Sequence, residues 1–302
     1  MIPRIVFMGS PEFAVTVLEK LSEKYPVVGV ITQPDRPAGR GRNLTPPPVK
    51  ELSLSLRIPY IQPERLKEGN ALDQLKNWNP DLIIVAAYGQ ILRRNVLEMP
   101  KFGCLNVHAS ILPRWRGATP IQAAILHGDK LTGVTIIKMD EGVDTGPILS
   151  KKEVQIDSMD TGLTLSQKLS VAGAQLLLDT LPGYTEGSIH PQPQDESHAT
   201  YAKLLRKEDG LLDFSKSAEE LERKVRAFNP WPGTFFDLQG APCKVIRAGV
   251  VTSCSLEAGE HGSKDGIPLI GTSMHALSLL ELQPAGKKPM AGDQFLRGYR
   301  GW

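Results

Sequence analysis

Apolar residues in the first half of the chain fall into short unbroken runs separated by stretches of helical period. The opening stretch RIVFMGSPEFAVTVLEKL reads as strand, tight turn at Gly9, then helix. Pro11 stands near the first helical turn, where its missing N–H costs nothing. The pattern repeats with VVGVIT at 27–32, DLIIVAAYG at 81–89, CLNVHAS at 104–110 and GVTIIKM at 133–139. Helical stretches such as GNALDQLKNW at 69–78 and TPIQAAILHGD at 119–129 lie between them. Near-continuous apolar strands alternating with helices predict a parallel sheet covered on both faces, that is, a doubly wound α/β domain.

After about residue 185 the texture changes to the proline-rich, polar stretch GSIHPQPQDESHATYAKLLRKEDG. The expected division is a first domain over 1–189, a linker over 190–206 and a second domain over 207–302. In the second domain SAEELERKVRAF at 217–228 predicts a helix opened by a Ser-x-x-Glu cap. The segments TFFDLQG, CKVIRAGVV, GIPLIGT and ALSLLELQP then suggest a small β-barrel.

Composition narrows the class. The 302 residues are 41% hydrophobic and 23% charged, ordinary for a soluble globular protein. A formal net charge of +2 does not mark a nucleic-acid binder, although a local basic patch still could. Cys104, Cys243 and Cys254 are odd in number, widely spaced and without a C-x-x-C pair, which argues against a disulfide framework or a zinc site and for a reducing cytoplasm. No leader-like segment opens the chain and no apolar run approaches a membrane span, so neither secretion nor membrane insertion is expected.

The candidate chemistry lies in NVHASILPRWRG at 106–117. Asn106 and His108, two apart on a strand, face one side of the sheet at its carboxyl end, where open α/β sheets bind ligands. The strand at 133–139 is expected to run parallel to the others, so the following loop DEGVDTGP emerges at the same edge and brings Asp144 within reach of His108. An amide can donate to an oxyanion, an imidazole can move a proton, and a carboxylate can orient the imidazole. That set suits attack by an amine on a carbonyl carbon through a tetrahedral intermediate, without a covalent enzyme intermediate. On pattern alone, such groups at strand ends are more often satisfied structural ones.

The stretch NVHASILPRWRGATPIQAAILHGD, followed by GVTIIKMDEGVDTGPIL, resembles the folate-dependent formyltransferases. FMGSPEFA, TQPDRPAGRGRNLTPPPVK, AAYGQILRRNVLEMPKFGCLNVH, RAFNPWPGTF and LQPAGKKPM extend the resemblance almost end to end. It implies a Rossmann-like first domain, an OB-like, tRNA-binding second domain, and 10-formyltetrahydrofolate as formyl donor. The acceptor it implies is the α-amino group of methionine on initiator tRNA, and the route needs no metal. By the same resemblance Asn106, His108 and Asp144 are the catalytic set, while Ser110, Ile111, Leu112 and Pro113 form the folate loop. Ile111 replaces the usual leucine, a volume-conserving change. Backbone groups from Gln90 to Leu92 are expected to hold the pterin ring.

The long connection at 34–50 carries Arg36, Arg40, Arg42 and Lys50 against the single acid Asp35. It reads as a loop without secondary structure, and the resemblance places it on the tRNA acceptor stem, Arg42 first. A family member acting on a nucleotide-linked amino sugar is the rival reading; the basic loop discriminates, because a small substrate does not call for it. Trp231 in NPWPGTF reads as packing, Gly9 as a residue needed by its turn, and a monomer is expected.

Overall fold

The structure, a computed structural model, describes every residue except Met1, Gly39–Arg42, Glu68 and Arg300. Its chain forms two compact units: residues 1–120, 131–155 and 166–202, and residues 121–130, 156–165 and 203–302.

In the first unit β1 (Ile5–Gly9) leads into α1 (Glu12–Ser22) and β2 (Val27–Ile31). Two short strands, β3 (Arg36–Ala38) and β4 (Asn43–Thr45), pair antiparallel, and α2 (Pro48–Ser55), β5 (Tyr60–Ile61) and α3 (Gly69–Trp78) follow. Then come β6 (Leu82–Ala86), α4 (Arg94–Leu97), β7 (Cys104–His108) and β8 (Arg116–Gly117), while α5 (Pro120–Leu126) belongs from Ile121 onward to the second unit. The remaining elements are β9 (Leu131–Lys138), β10 (Ile148–Gln155), α6 (Gly162–Glu186) and β11 (Tyr201–Ala202). Seven strands form one sheet in the order β10-β9-β7-β6-β1-β2-β5.

Every residue of β1 and β6 is buried, as expected for strands covered on both faces. Each fully buried Ile, Val, Phe or Met side chain contributes roughly 1.5–3 kcal/mol. On α1 the buried residues Phe13, Ala14, Val17, Leu18 and Leu21 recur at helical spacing and make one apolar stripe. Gly9 is required for a reason other than turn conformation: a Cβ there would stand 2.7 Å from the Ala86 carbonyl and 2.8 Å from Ala14 Cβ.

The expected direction of the strand near 133–139 is corrected. β5, β2, β1, β6 and β7 are mutually parallel, but β9 runs antiparallel to β7, with Leu105 opposite Lys138 and His108 opposite Thr135. β10 returns antiparallel on β9. The sheet is therefore mixed.

In the second unit α7 (Ala218–Ala227) opens with the expected capping box: Ser217 accepts from the Glu220 N–H and Glu220 accepts from that of Ser217. Its buried face carries Leu221 and Val225. These pack in one core with Phe236, Val245 and Leu279 from a sheet of β12 (Thr234–Leu238), β13 (Ala241–Val251), β14 (His261–Lys264), β15 (Ile267–Gly271), β16 (Ala276–Gln283) and β17 (Met290–Ala291), and with Phe295 of the following helix α8 (Gly292–Gly298). Strand order is β12-β13-β16-β15-β14 with β17 on β16, and among the described residues no pairing of β12 with β14 closes this sheet into a barrel. Trp231, expected in packing, is 54% exposed. Among the described residues no helix is long and apolar enough to cross a membrane.

Candidate active site

β7 presents Asn106 and His108 on one face, and the loop after β9 meets them there. β9 ends level with Leu105, so that loop starts beside β7, and it closes on itself where Lys138 N–H donates to Pro147 O at 2.9 Å. Gly146 allows this tight return, since a Cβ would collide with the Lys138 carbonyl. The turn places Asp144 in the left-handed region, φ +55°. Asp144 therefore reaches β7 because its loop folds back over the strand, and not because parallel strands share an edge.

The three groups converge. Asn106 Nδ2 donates to Asp144 Oδ1 at 3.1 Å, and His108 Nδ1 lies 3.4 Å from the same oxygen. The second carboxylate oxygen accepts from Gly117 N–H at 2.9 Å. His108 is buried, and its Nε2 lies 2.9 Å from the Trp115 carbonyl. Both ring nitrogens thus face oxygen acceptors, and a neutral imidazole, with one N–H, can donate to just one of them. Asn106 gives one amide proton to Asp144; its second has no partner among the described residues.

The loop after β7 is held in turn. Ser110 is buried, its hydroxyl donates to Arg114 O at 2.5 Å, and its carbonyl accepts from Thr135 Oγ1 at 2.7 Å. Thr135 Oγ1 accepts from Leu112 N–H, while Leu112 O accepts from Lys151 Nζ at 2.5 Å. Ile111 and Pro113 remain partly exposed beside this anchored frame.

The stretch expected to hold a pterin is divided in use. The side chain of Gln90 is committed to its neighbours, accepting from Leu66 N–H at 2.9 Å and donating to Pro63 O and Glu64 O. Leu92 is buried in the apolar core. The main-chain groups of Gln90, Ile91 and Leu92 have no hydrogen-bond partner among the described residues, and Ile91 is 75% exposed beside them. Unpaired amides next to an apolar side chain fit the edge and face of a flat heterocycle.

Of the basic residues at 34–50, Arg36 is exposed and pairs with Glu64 at 2.6 Å, and Lys50 pairs with Asp35 at 2.6 Å. The expectation of a connection without secondary structure is corrected, because β3 and β4 make a short hairpin there. Arg40 and Arg42 lie outside the described residues. Among the described residues no group of three or more His, Cys, Asp or Glu side chains could hold a metal ion.

Four residues absent from the sequence reading complete the surroundings: Thr135, Lys151, Arg116 and Gln194. Arg116 is fully buried and donates to Gln194 Oε1 and to both carboxylate oxygens of Glu196. These bonds push its guanidinium further toward the charged form and hold the Glu196 carboxyl below its usual range. An arginine in PRWRG is visible in sequence, but nothing there marks Gln194 as its partner 78 positions away.

The chain belongs to the formyl transferase family, a class of one-carbon group transferases. Residues 3–181 match the family's formyl transferase model and residues 204–300 its C-terminal domain. The methionyl-tRNA formyltransferase of Bacillus pumilus is 52% identical over 300 residues, covering 98% of this chain and 94% of its own. Among solved structures, HypX from Aquifex aeolicus in complex with tetrahydrofolic acid superposes with a TM-score of 0.67 at 17% identity, over 98% of this chain and 47% of HypX. The sugar 3N-formyl transferase WlaRD gives 0.67 at 18% identity over 95% and 100%. At those identities the two structures speak for the fold alone.

Proposed function

We propose that this chain transfers the formyl group of 10-formyltetrahydrofolate to the α-amino group of methionine esterified to initiator tRNA. The observation that carries the reading is the near full-length identity of 52% to a methionyl-tRNA formyltransferase. The rival acceptor, a nucleotide-linked amino sugar, has a fold-level likeness at 18% identity behind it and is not favoured.

The bound folate supplies a formyl carbon on N10 as electrophile. Asn106 directs its uncommitted amide proton at the carbonyl oxygen, where negative charge develops when the amine attacks; removing such a donor costs about 100- to 1000-fold in turnover. His108 takes up a proton from the amine as the new C–N bond forms. Asp144 holds the His108 ring and the Asn106 amide in register through a single oxygen, Oδ1. Collapse breaks the bond to N10, and the proton leaves with the folate product. Ser110 to Pro113 and the main chain of Gln90 to Leu92 hold the donor, and Arg36, Arg40 and Arg42 engage the acceptor end of the tRNA. The setting is the cytoplasm, the chain acts as a monomer, and no metal takes part.

The test presents purified protein and 10-formyltetrahydrofolate with charged initiator tRNA, charged elongator tRNA and a nucleotide-linked amino sugar. Selective formylation of the initiator is expected. Selective formylation of the sugar would overturn the reading.

A further inference from the structure

We infer that Gln194 is a positioning residue for the reaction, holding Asp144 against His108 and Asn106, with Arg116 fixing the orientation of its amide. The inference rests on the reading of Asp144 given above. Three observations carry it.

Asp144 has φ +55°, in the left-handed region, a conformation that persists in a non-glycine residue where its neighbours over-determine it. Much of that determination comes from Gln194. Its Nε2 donates to the Asp144 carbonyl and to the Gly146 carbonyl, both at 2.7 Å, so both amide protons grip the main chain of the turn. The carboxylate on the same residue makes the contacts to Asn106, His108 and Gly117.

The amide has one orientation that satisfies its partners. Gln194 Oε1 accepts from Arg116 Nε at 3.0 Å and from a terminal guanidinium nitrogen at 2.8 Å, leaving Nε2 toward the carbonyls. A flipped amide would set its N–H groups against a guanidinium that has no acceptor. Burial of Arg116 and its further bonds to Glu196 fix the guanidinium itself.

The strand that carries Arg116 is tied to the same stretch of chain. β8 pairs in parallel with β11, and Trp115 N–H donates to Thr200 Oγ1 at 2.9 Å. The carbonyl that meets His108 Nε2 belongs to Trp115. Residues 192–202 therefore brace Asp144 from one side, through Gln194, and the contact of His108 with Trp115 from the other, through Thr200.

Gln194→Glu is nearly isosteric and keeps the contact with Arg116 as an ion pair, but it has no proton for the two carbonyls. The expected result is a folded protein whose kcat falls about 10- to 100-fold while KM for donor and acceptor holds, the pattern of a displaced catalytic group. The 15N resonances of the His108 ring should shift as the carboxylate moves. Gln194→Asn keeps the amide but falls one methylene short, and should lose kcat in the same way; it decides the matter if Gln194→Glu fails to fold. Asp144→Asn, measured alongside, separates the two levels of the reading. An inactive Asp144→Asn with wild-type kcat and unmoved His108 signals in the Gln194 variants would overturn the positioning role alone. A fully active Asp144→Asn would overturn the site itself.

Discussion

Replacing Asn106 by aspartate changes one group and keeps its shape, which makes the electrostatics of the site measurable. The amide nitrogen lies 3.1 Å from Asp144 Oδ1. Two carboxylates at that separation repel by about 5 kcal/mol at an effective dielectric constant of 20, equivalent to roughly four pK units before solvent screening. Asp144 has a side chain 14% exposed, so screening removes part of this and not all of it. The two acids then cannot both ionise near neutrality, and one holds its proton well above the ordinary carboxylate range. The sign follows: an acid whose pKa is raised by folding leaves stability intact at acid pH and erodes it as pH climbs through the ordinary carboxylate range toward the raised value. Thermal melts of Asn106→Asp and the parent protein should coincide at acid pH, separate as pH rises and then run level. In steady-state assays with saturating donor and charged initiator tRNA, kcat should fall about 100- to 1000-fold with the lost oxyanion donor. Melting curves that stay parallel from pH 4 to 9, or an unchanged kcat, would refute the contact and the role together.

His108→Ala should retain the fold and folate binding, measured by circular dichroism and by fluorescence titration, while formyl transfer is abolished; turnover at the parental rate contradicts its role. Gly117→Ala sets a Cβ 2.6 Å from the Ala202 carbonyl at φ +106°, where a side chain is strained. A loss of about 2–4 kcal/mol, read as a melting point roughly 4–12 °C lower, is expected together with weakened turnover, because Gly117 N–H anchors Asp144. Burial pushes the Cys104 thiol up to about 12 and that of Cys243 up to about 11, whereas Cys254 is partly exposed. At pH 8 a disulfide reagent should titrate a single thiol in the native protein and three in denaturant; two fast native thiols would contradict the packing. The stability from keeping these two thiols neutral is present below the ordinary thiol range and fades as pH rises toward 11 to 12.

Much of the architecture is legible because burial on both faces writes itself as unbroken apolar runs. IVFMG, VVGVI, LIIVA and CLNVH are strands within a residue or two of where that pattern ends. Strand direction is another matter: TGVTIIK has the same apolar texture whichever way it runs, and its antiparallel pairing depends on a neighbour rather than on its own composition. β10 is illegible for a simpler reason, because an edge strand reading ILSKKEVQ has no buried face to announce it. Asn106 and His108 could be joined by strand periodicity, and Asp144 was reachable in outcome although the route differs. Gln194 could not be found that way, since a satisfied amide in a polar stretch looks like any surface glutamine. Trp231 shows the reverse error: an aromatic between prolines suggests packing, yet the residue is more than half exposed.

The ladder between Arg116–Gly117 and Tyr201–Ala202 bears on how this enzyme could be dissected. A scissor placed after the last turn of α6 would leave an apparently whole Rossmann-like sheet, yet strip it of Gln194, Thr200 and the β11 backbone. Such a truncation should keep the apolar centre of its sheet while the proposed catalytic groups Asn106, His108 and Asp144 loosen. A self-sufficient catalytic half has to carry its tail past Ala202.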